Sequence, residues 1–312
     1  MKKLAVQFSK PALTKYTFDR LKLCRKCEIY TVLDNTHCQA CGSQSPFVSF
    51  RDYSDTLCRR KFYTESALAL ALGCIAVVMA STIPQLLAAA GVTLALPLFL
   101  WLLYRKALPR RQSIQLEKLV LHEHKKILEG LEKDILSAIA DANEEKFKPA
   151  YEKLREISVF LHNDNIKKVK IVILNRFVLR RDMNLELESL IPSDFDKDFV
   201  YYLLEVSKVN RQLMKSKTFD YIIRYRHAIA QMEDGTDLLV NAAGAALRLK
   251  QYVDRYMELI LPHLDALPRE RLLRLCKLLA SRESGEWQEL YARTKDVVKK
   301  KYDFDPEFKG VI

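Results

Sequence analysis

Residues 66–104 read SALALALGCIAVVMASTIPQLLAAAGVTLALPLFLWLLY, 39 consecutive positions without a charged side chain. As a single helix rising about 1.5 Å per residue, this stretch would be roughly 58 Å long, against a bilayer hydrocarbon core of about 30 Å. One crossing cannot use it all. Its most polar point, Ser81-Thr82-Ile83-Pro84-Gln85, contains a proline. Division there gives spans of about 66–83 and 86–104, each near the ~20 residues that a crossing helix needs. A buried helical hairpin in a water-soluble core is the alternative, and runs this long without charge are rare there.

The flanks set the orientation. Arg59, Arg60 and Lys61 precede the first span, Arg105, Lys106, Arg110 and Arg111 follow the second, and the turn between them has no Lys or Arg. Basic residues stay on the cytoplasmic side, so both chain ends are expected in the cytoplasm of a multi-pass protein of the cell membrane. Phe62, Tyr63, Trp101 and Tyr104 fall where an interfacial aromatic belt would sit. Ala69/Gly73 and Ala76/Ala80 are small pairs four apart that allow close helix contact. Met1 to Lys10 has charge but no apolar core behind it, so a cleaved signal peptide is not expected. Neither span holds an ionisable carrier of protons or ions, which argues against a pump.

Outward from this stretch, the 312 residues carry a net charge of +12. Residues 1–65 contribute +6, residues 105–111 contribute +4, and the remaining 201 contribute only +2. A nucleic-acid binder would spread phosphate-neutralising charge over its folded surface. Here the excess brackets an apolar stretch, which a membrane explains better. With 49% hydrophobic residues, 8 glycines and 10 prolines, the chain is neither disordered nor collagen-like, and a large glycine-dependent nucleotide fold is disfavoured.

Before the first span lie Cys24-Arg25-Lys26-Cys27 and Cys38-Gln39-Ala40-Cys41-Gly42, two C-x-x-C knuckles ten residues apart. Four thiolates satisfy tetrahedral zinc, and the two-residue gap lets one tight turn supply two ligands. With Cys24, Cys27, Cys38 and Cys41 all ligating, no coordination site stays open, so one structural Zn2+ per chain is expected. Short strands are expected over Arg20–Leu23, Glu28–Leu33 and Phe47–Phe50. On these residues, segment 18–52 resembles a zinc ribbon. The short spacer also admits iron in a rubredoxin-like site, and two disulfides are the metal-free alternative. His37 reads as a neighbour of the site. Cys74 and Cys276 read as small core residues, and Cys58 belongs to no motif.

From Gln112 the pattern is helical. Leu128, Leu131, Ile135 and Ile139 mark one apolar stripe, on a helix that extends directly from the second span. Further helices are expected over 144–162, 166–180, 197–214, 217–231, 237–249, 250–264, 268–281 and 285–300, with caps at Ser193 and Asp194. No convincing strand appears among them. The stretch Asp237–Ala280 resembles armadillo or HEAT-type helical repeats, which implies an α-solenoid, with an irregular bundle as the alternative; such folds serve mostly to bind partners. The chain thus reads as mainly α in three parts: 1–57, a zinc ribbon with flanks; 58–111, a transmembrane hairpin; 112–312, a helical cytoplasmic domain.

No G-x-x-x-x-G-K-[ST], G-x-G-x-x-G or H-E-x-x-H motif occurs. His122 and His124 stand two apart and point to different sides of a helix. Asp194, Asp196 and Asp198 suggest a calcium loop, but Phe199 stands where its glycine belongs, so a capped helix start fits better. His162, His227 and His263 stand alone. The reading is therefore a non-enzymatic, membrane-anchored scaffold or regulatory adaptor that binds a cytosolic protein through its helical domain. A membrane-tethered nucleic-acid regulator, using Lys22, Arg25 and Lys26 on the ribbon, is the alternative. An enzyme with a site between the C-terminal helices and a pore-forming hairpin oligomer are more distant ones.

Overall fold

The computed structural model describes residues 3–11, 14, 16–44, 47–280 and 287–311, with the backbone alone at 100, 103 and 105–113. The protein is mainly helical, with one small antiparallel sheet. It divides into two compact units: Pro11–Glu144 with Arg155–Phe160, and Met1–Lys10 with Glu145–Leu154 and Leu161–Ile312.

The first of these units opens with a 3-10 turn, Thr17–Arg20, and three short strands, β1 (Lys22–Cys24), β2 (Tyr30–Thr31) and β3 (Phe47–Ser49). They pair in the order β2-β1-β3, with Leu23 opposite Tyr30 on one side and Val48 on the other. Phe50 follows β3 at once and is the first residue of α1 (Phe50–Val78), capped by the Ser49 side chain, which accepts from the Asp52 N–H. Phe50 is fully buried and its ring packs edge-on to Tyr30 at 5.7 Å. The chain turns at residues 79–82, and α2 (Ile83–His122) returns, with Pro84 in its first turn. There proline's fixed φ and missing N–H cost nothing.

The two legs of this hairpin meet along Ser66, Ala69, Gly73 and Val77 of α1 and Ala89, Ala90, Thr93 and Pro97 of α2, the half-buried positions of the two helices. At Gly73 the legs pack closely: a Cβ there would lie 2.5 Å from Thr93 Oγ1. Nearer the sheet, the rings of Phe62 and Tyr104 pack at 4.4 Å. Of the two small-residue pairs, Ala69/Gly73 lies on the seam, while Ala76 is exposed. The leucines point away: Leu68, Leu72, Leu87, Leu94 and Leu98 are each at least 60% exposed. Cys74, expected as a core residue, is exposed with them. Among the described residues, Phe50–Val78 is the one helix long and apolar enough to cross a membrane; Ile83–Phe99 is a shorter apolar stretch. The basic side chains at 105, 106, 110 and 111 lie outside the described residues.

After a break at Glu123, α3 (His124–Asn143) packs on β2. The expected stripe holds in part, with Leu131 buried and Ile135 and Ile139 half-buried, but the buried face is shifted toward Ile127 and Ala138. The buried positions are Ile127, Gly130, Leu131, Asp134 and Ala138, whereas Leu128 is exposed. The sheet selects this face. A Cβ at Gly130 would sit 2.0 Å from the Tyr30 carbonyl oxygen, so only glycine lets the helix close on the strand. The Asp134 carboxylate, 2% exposed, accepts from the Val32 N–H at 2.9 Å and from the Thr31 hydroxyl at 2.8 Å. This satisfies an N–H that the sheet edge leaves open.

The second unit is built from α4 (Phe147–Ile157, its last residues falling to the first unit), α5 (Asp164–Leu174), α6 (Lys197–Val209), α7 (Ser216–Arg224), α8 (Arg226–Ala230), α9 (Gly235–Ala246), α10 (Lys250–Arg255), α11 (Met257–Ile260), α12 (Arg269–Ala280) and α13 (Gln288–Tyr302). Several expected helices are shorter. The one expected to reach residue 180 stops at Leu174, because the next residues pair with the N-terminal arm: Leu4 donates to the Arg176 carbonyl at 2.8 Å and accepts from the Val178 N–H at 2.9 Å. The helix expected over 217–231 breaks at Tyr225, and that over 250–264 breaks at Tyr256 before a 3-10 turn. The start expected at 285 lies outside the described residues. Asp196 caps α6, its Oδ1 accepting from the Phe199 N–H at 2.8 Å, so the acidic triplet is a capped helix start. Cys276 is buried as expected. The core is made of large side chains with no exposure, among them Tyr202, Leu203, Phe219, Ile222, Leu238 and Leu275.

Candidate metal centre

The four cysteines come together from two loops of like geometry. In the first, the Cys24 N–H donates to the Ile29 carbonyl and the Glu28 N–H returns to the Cys24 carbonyl, at 3.0 and 2.9 Å. In the second, the Cys38 N–H donates to the Ser43 carbonyl and the Gly42 N–H to the Cys38 carbonyl, at 3.0 and 2.8 Å. The residue four after the leading cysteine has a left-handed backbone in both: Glu28 with φ 55° and Gly42 with φ 66°. Glycine takes that conformation freely; glutamate does so at a cost of roughly 1 kcal/mol. The two knuckles are therefore one structural device used twice, which equal C-x-x-C spacing produces when each loop must turn two sulfurs to one point.

All four Sγ atoms lie within 4.8 Å of one another. Cys24 and Cys41 are 3.8 Å apart and Cys27 and Cys38 are 3.5 Å apart. Those separations exceed an S–S bond, about 2.05 Å. They match the ~3.8 Å edge of a tetrahedron whose centre lies ~2.3 Å from each sulfur. Cys24 and Cys38 are buried, Cys27 and Cys41 half-buried.

The electrostatics are those of a site that lacks positive charge. Burial works against ionisation of Cys24, but the backbone N–H groups of Cys27 and Lys26, with the neighbouring thiols, outweigh it and bring the thiol down to about 6. Cys27 goes the other way: burial, reinforced by the surrounding sulfurs, pushes it up to about 12. The Ser43 hydroxyl and N–H lower Cys41. Four thiolates held this close repel one another unless a cation sits among them. The donor set thus fits a metal ion held by sulfur alone. His37 bonds Thr36 through Nδ1 at 2.9 Å and is no part of the cluster.

The other sequence-level candidates are not assembled into a site. His122 and His124 are exposed on either side of the break between α2 and α3. The feature that sequence reasoning missed is the clamp on the ribbon from α3. A carboxylate and a glycine on the buried face disguise it, although Asp134 and Gly130 are spaced by one helical turn. No protein-family model matches this chain, and no curated protein or solved structure matches it.

Proposed function

We propose that the protein is a membrane-anchored adaptor: α1 and α2 cross the bilayer as a hairpin, both ends lie in the cytoplasm, the four cysteines hold one structural zinc ion, and the helical second unit binds a cytosolic protein. The observation that carries the reading is the inverted packing of the hairpin. In water, two such helices would hide their leucines against each other. Here small residues form the seam and the leucines face outward. That is the arrangement expected where the surroundings are as apolar as leucine and close backbone approach provides the attraction. Exposed apolar faces this extensive are uncommon on soluble monomers. Thr93 returns its hydroxyl to the Ala89 carbonyl at 2.7 Å, so this polar group is satisfied within its own helix.

The nucleic-acid alternative finds less support on the ribbon. Arg20 is tied to Glu156 and Lys22 to Asp34, leaving Arg25 and Lys26 exposed on the first knuckle. Zinc held by four thiolates would supply folding free energy rather than chemistry, on the order of 10 kcal/mol in small zinc modules.

Three measurements test the parts separately. The chain should stay in the pellet after alkaline carbonate washing, with tags at both ends accessible only from the cytoplasmic face; release into the wash, or tags on opposite faces, removes the hairpin. Purified protein should contain one zinc per chain, and a chelator should expose the Tyr30–Leu33 amides to hydrogen exchange; protection without metal would refute the structural role. Crosslinking capture from intact membranes should recover partners with the whole chain and lose them when it ends after residue 144; the same partners from both would end the adaptor reading.

A further inference from the structure

Four arginines of the second unit lie near one another, and among the described residues none of them is ion-paired. Arg211 lies in the 3-10 turn after α6, Arg248 in the loop after α9, and Arg271 and Arg274 one turn apart on α12. The guanidinium groups of Arg211, Arg248 and Arg274 are held by backbone and amide oxygens. Arg211 donates from Nε to the Ser207 carbonyl at 3.1 Å and from Nη2 to Asn241 Oδ1 at 3.5 Å. Arg248 reaches the Arg211 carbonyl at 3.5 Å and the Met214 carbonyl at 3.4 Å. Arg274 Nη2 donates to the Arg248 carbonyl at 3.0 Å. Arg271 lays its aliphatic stem beside Gly244, where a Cβ would lie 3.5 Å from its Cγ. Arg211, Arg248 and Arg271 are half-buried; Arg274 is exposed.

Several other arginines of the same unit are matched with acid: Arg226 with Glu258, Arg255 with Asp220, and Arg269 with Asp305 and Glu307. At the cluster, no carboxylate oxygen among the described residues comes within 4.0 Å of any of the four. Burial, and after it the charges of Arg211 and Arg274, press Arg271 below its ordinary value, with Glu270 acting weakly the other way. Holding like charges together costs free energy, and an anion seated among them would recover it. Each guanidinium has five N–H donors, and Arg211 and Arg248 each use two on the protein. That leaves N–H donors on each guanidinium free for another acceptor, and guanidinium groups are well matched to tetrahedral oxyanions.

We propose that Arg211, Arg248, Arg271 and Arg274 form a binding site for a phosphate group, as a free phosphate or as the headgroup of an anionic phospholipid. Arg211 and Arg248, pinned to carbonyls, set the floor of the site; Arg271 and Arg274 close on the ligand from α12. The site is independent of the zinc and of the hairpin.

The test uses the full chain in a mild detergent and two probes, inorganic phosphate and dihexanoyl phosphatidic acid below its micelle concentration, titrated by calorimetry. Saturable 1:1 binding of at least one probe is expected, and Arg271→Met and Arg274→Gln should each weaken it about tenfold or more. Arg269→Gln, whose guanidinium is already paired, should leave it unchanged. Saturation by phosphate alone identifies a soluble ligand; saturation by the lipid alone identifies a headgroup. Failure of both probes to saturate overturns the site, as does unaltered affinity in Arg274→Gln, an exposed position whose loss leaves the fold intact.

Discussion

Leucine obeys opposite rules in two regions of this protein. In the second unit, Leu203, Leu238 and Leu275 have no exposure and large side chains fill the interior. In the α1–α2 hairpin, the leucines are the outermost atoms, and Ala69, Gly73, Ala90 and Thr93 meet inside. Composition does not explain the difference, because both regions are rich in Leu and Ala. What differs is the set of contacts each face would make with its surroundings. One pattern follows from water excluding apolar surface; the other follows when the surroundings give no such preference and packing alone decides. The contrast is the physical content of the proposed membrane hairpin, and it can be tested leucine by leucine.

The largest effect expected is from truncation inside the second unit. Leu203→Ala should cost about 2–5 kcal/mol, read as a lower melting temperature of the full chain. Leu72→Ala, at a position 60% exposed, should cost under about 0.5 kcal/mol. Equal losses would erase the contrast. Charge separates solvents more sharply than size does. Leu72→Arg should raise the apparent cost of membrane insertion by about 2.5–3.5 kcal/mol, measured as the inserted fraction of nascent chains; if water covers this face, the substitution changes nothing. At the seam, Gly73→Leu should destabilise helix contact by about 1–3 kcal/mol, seen as loss of crosslinking between cysteines placed at Phe62 and Tyr104. Thr93→Gly in the same chain should recover part of it, since the two residues share one space. The smallest effect is a pH response. Burial lowers His263 below its ordinary value. Its contribution to stability is present above the unfolded pKa, about 6.5, and is lost as pH falls through the folded value. His263→Gln should flatten the pH dependence of melting of the second unit in that window. Residues 66–104 have no Asp, Glu, Lys, Arg or His and should show no such response.

What was legible in the residues followed from local rules. The C-x-x-C spacing implied converging sulfurs, since each knuckle is closed by hydrogen bonds within six residues. Pro84 marked the hairpin turn, and the start of α6 at Lys197 was expected, although its cap is Asp196 and not Ser193 or Asp194. What was not legible depended on contacts far along the chain. Helix α5 ends at Leu174 because Leu4, some 170 positions earlier, takes the next backbone groups. The buried face of α3 was legible only in part, through Leu131, Ile135 and Ile139, because Gly130 and Asp134 score as a breaker and a charge, and only the strand edge they meet makes sense of them. The arginine cluster joins three elements separated by 60 residues from Arg211 to Arg271, a distance over which no spacing rule operates.

The joint between sheet and helix has one more implication. Ser49 ends β3 and caps α1, and Phe50 is locked into the ribbon core, so there is no hinge at which the thiol cluster could swing independently. Residues 50–65, about 24 Å of helix, separate that cluster from Ser66, where the charge-free run begins. A lever of fixed length converts any tilt of the hairpin into a lateral sweep of the thiol cluster, and any pull on the sheet is felt as torque where the two legs pack at Gly73 and Thr93.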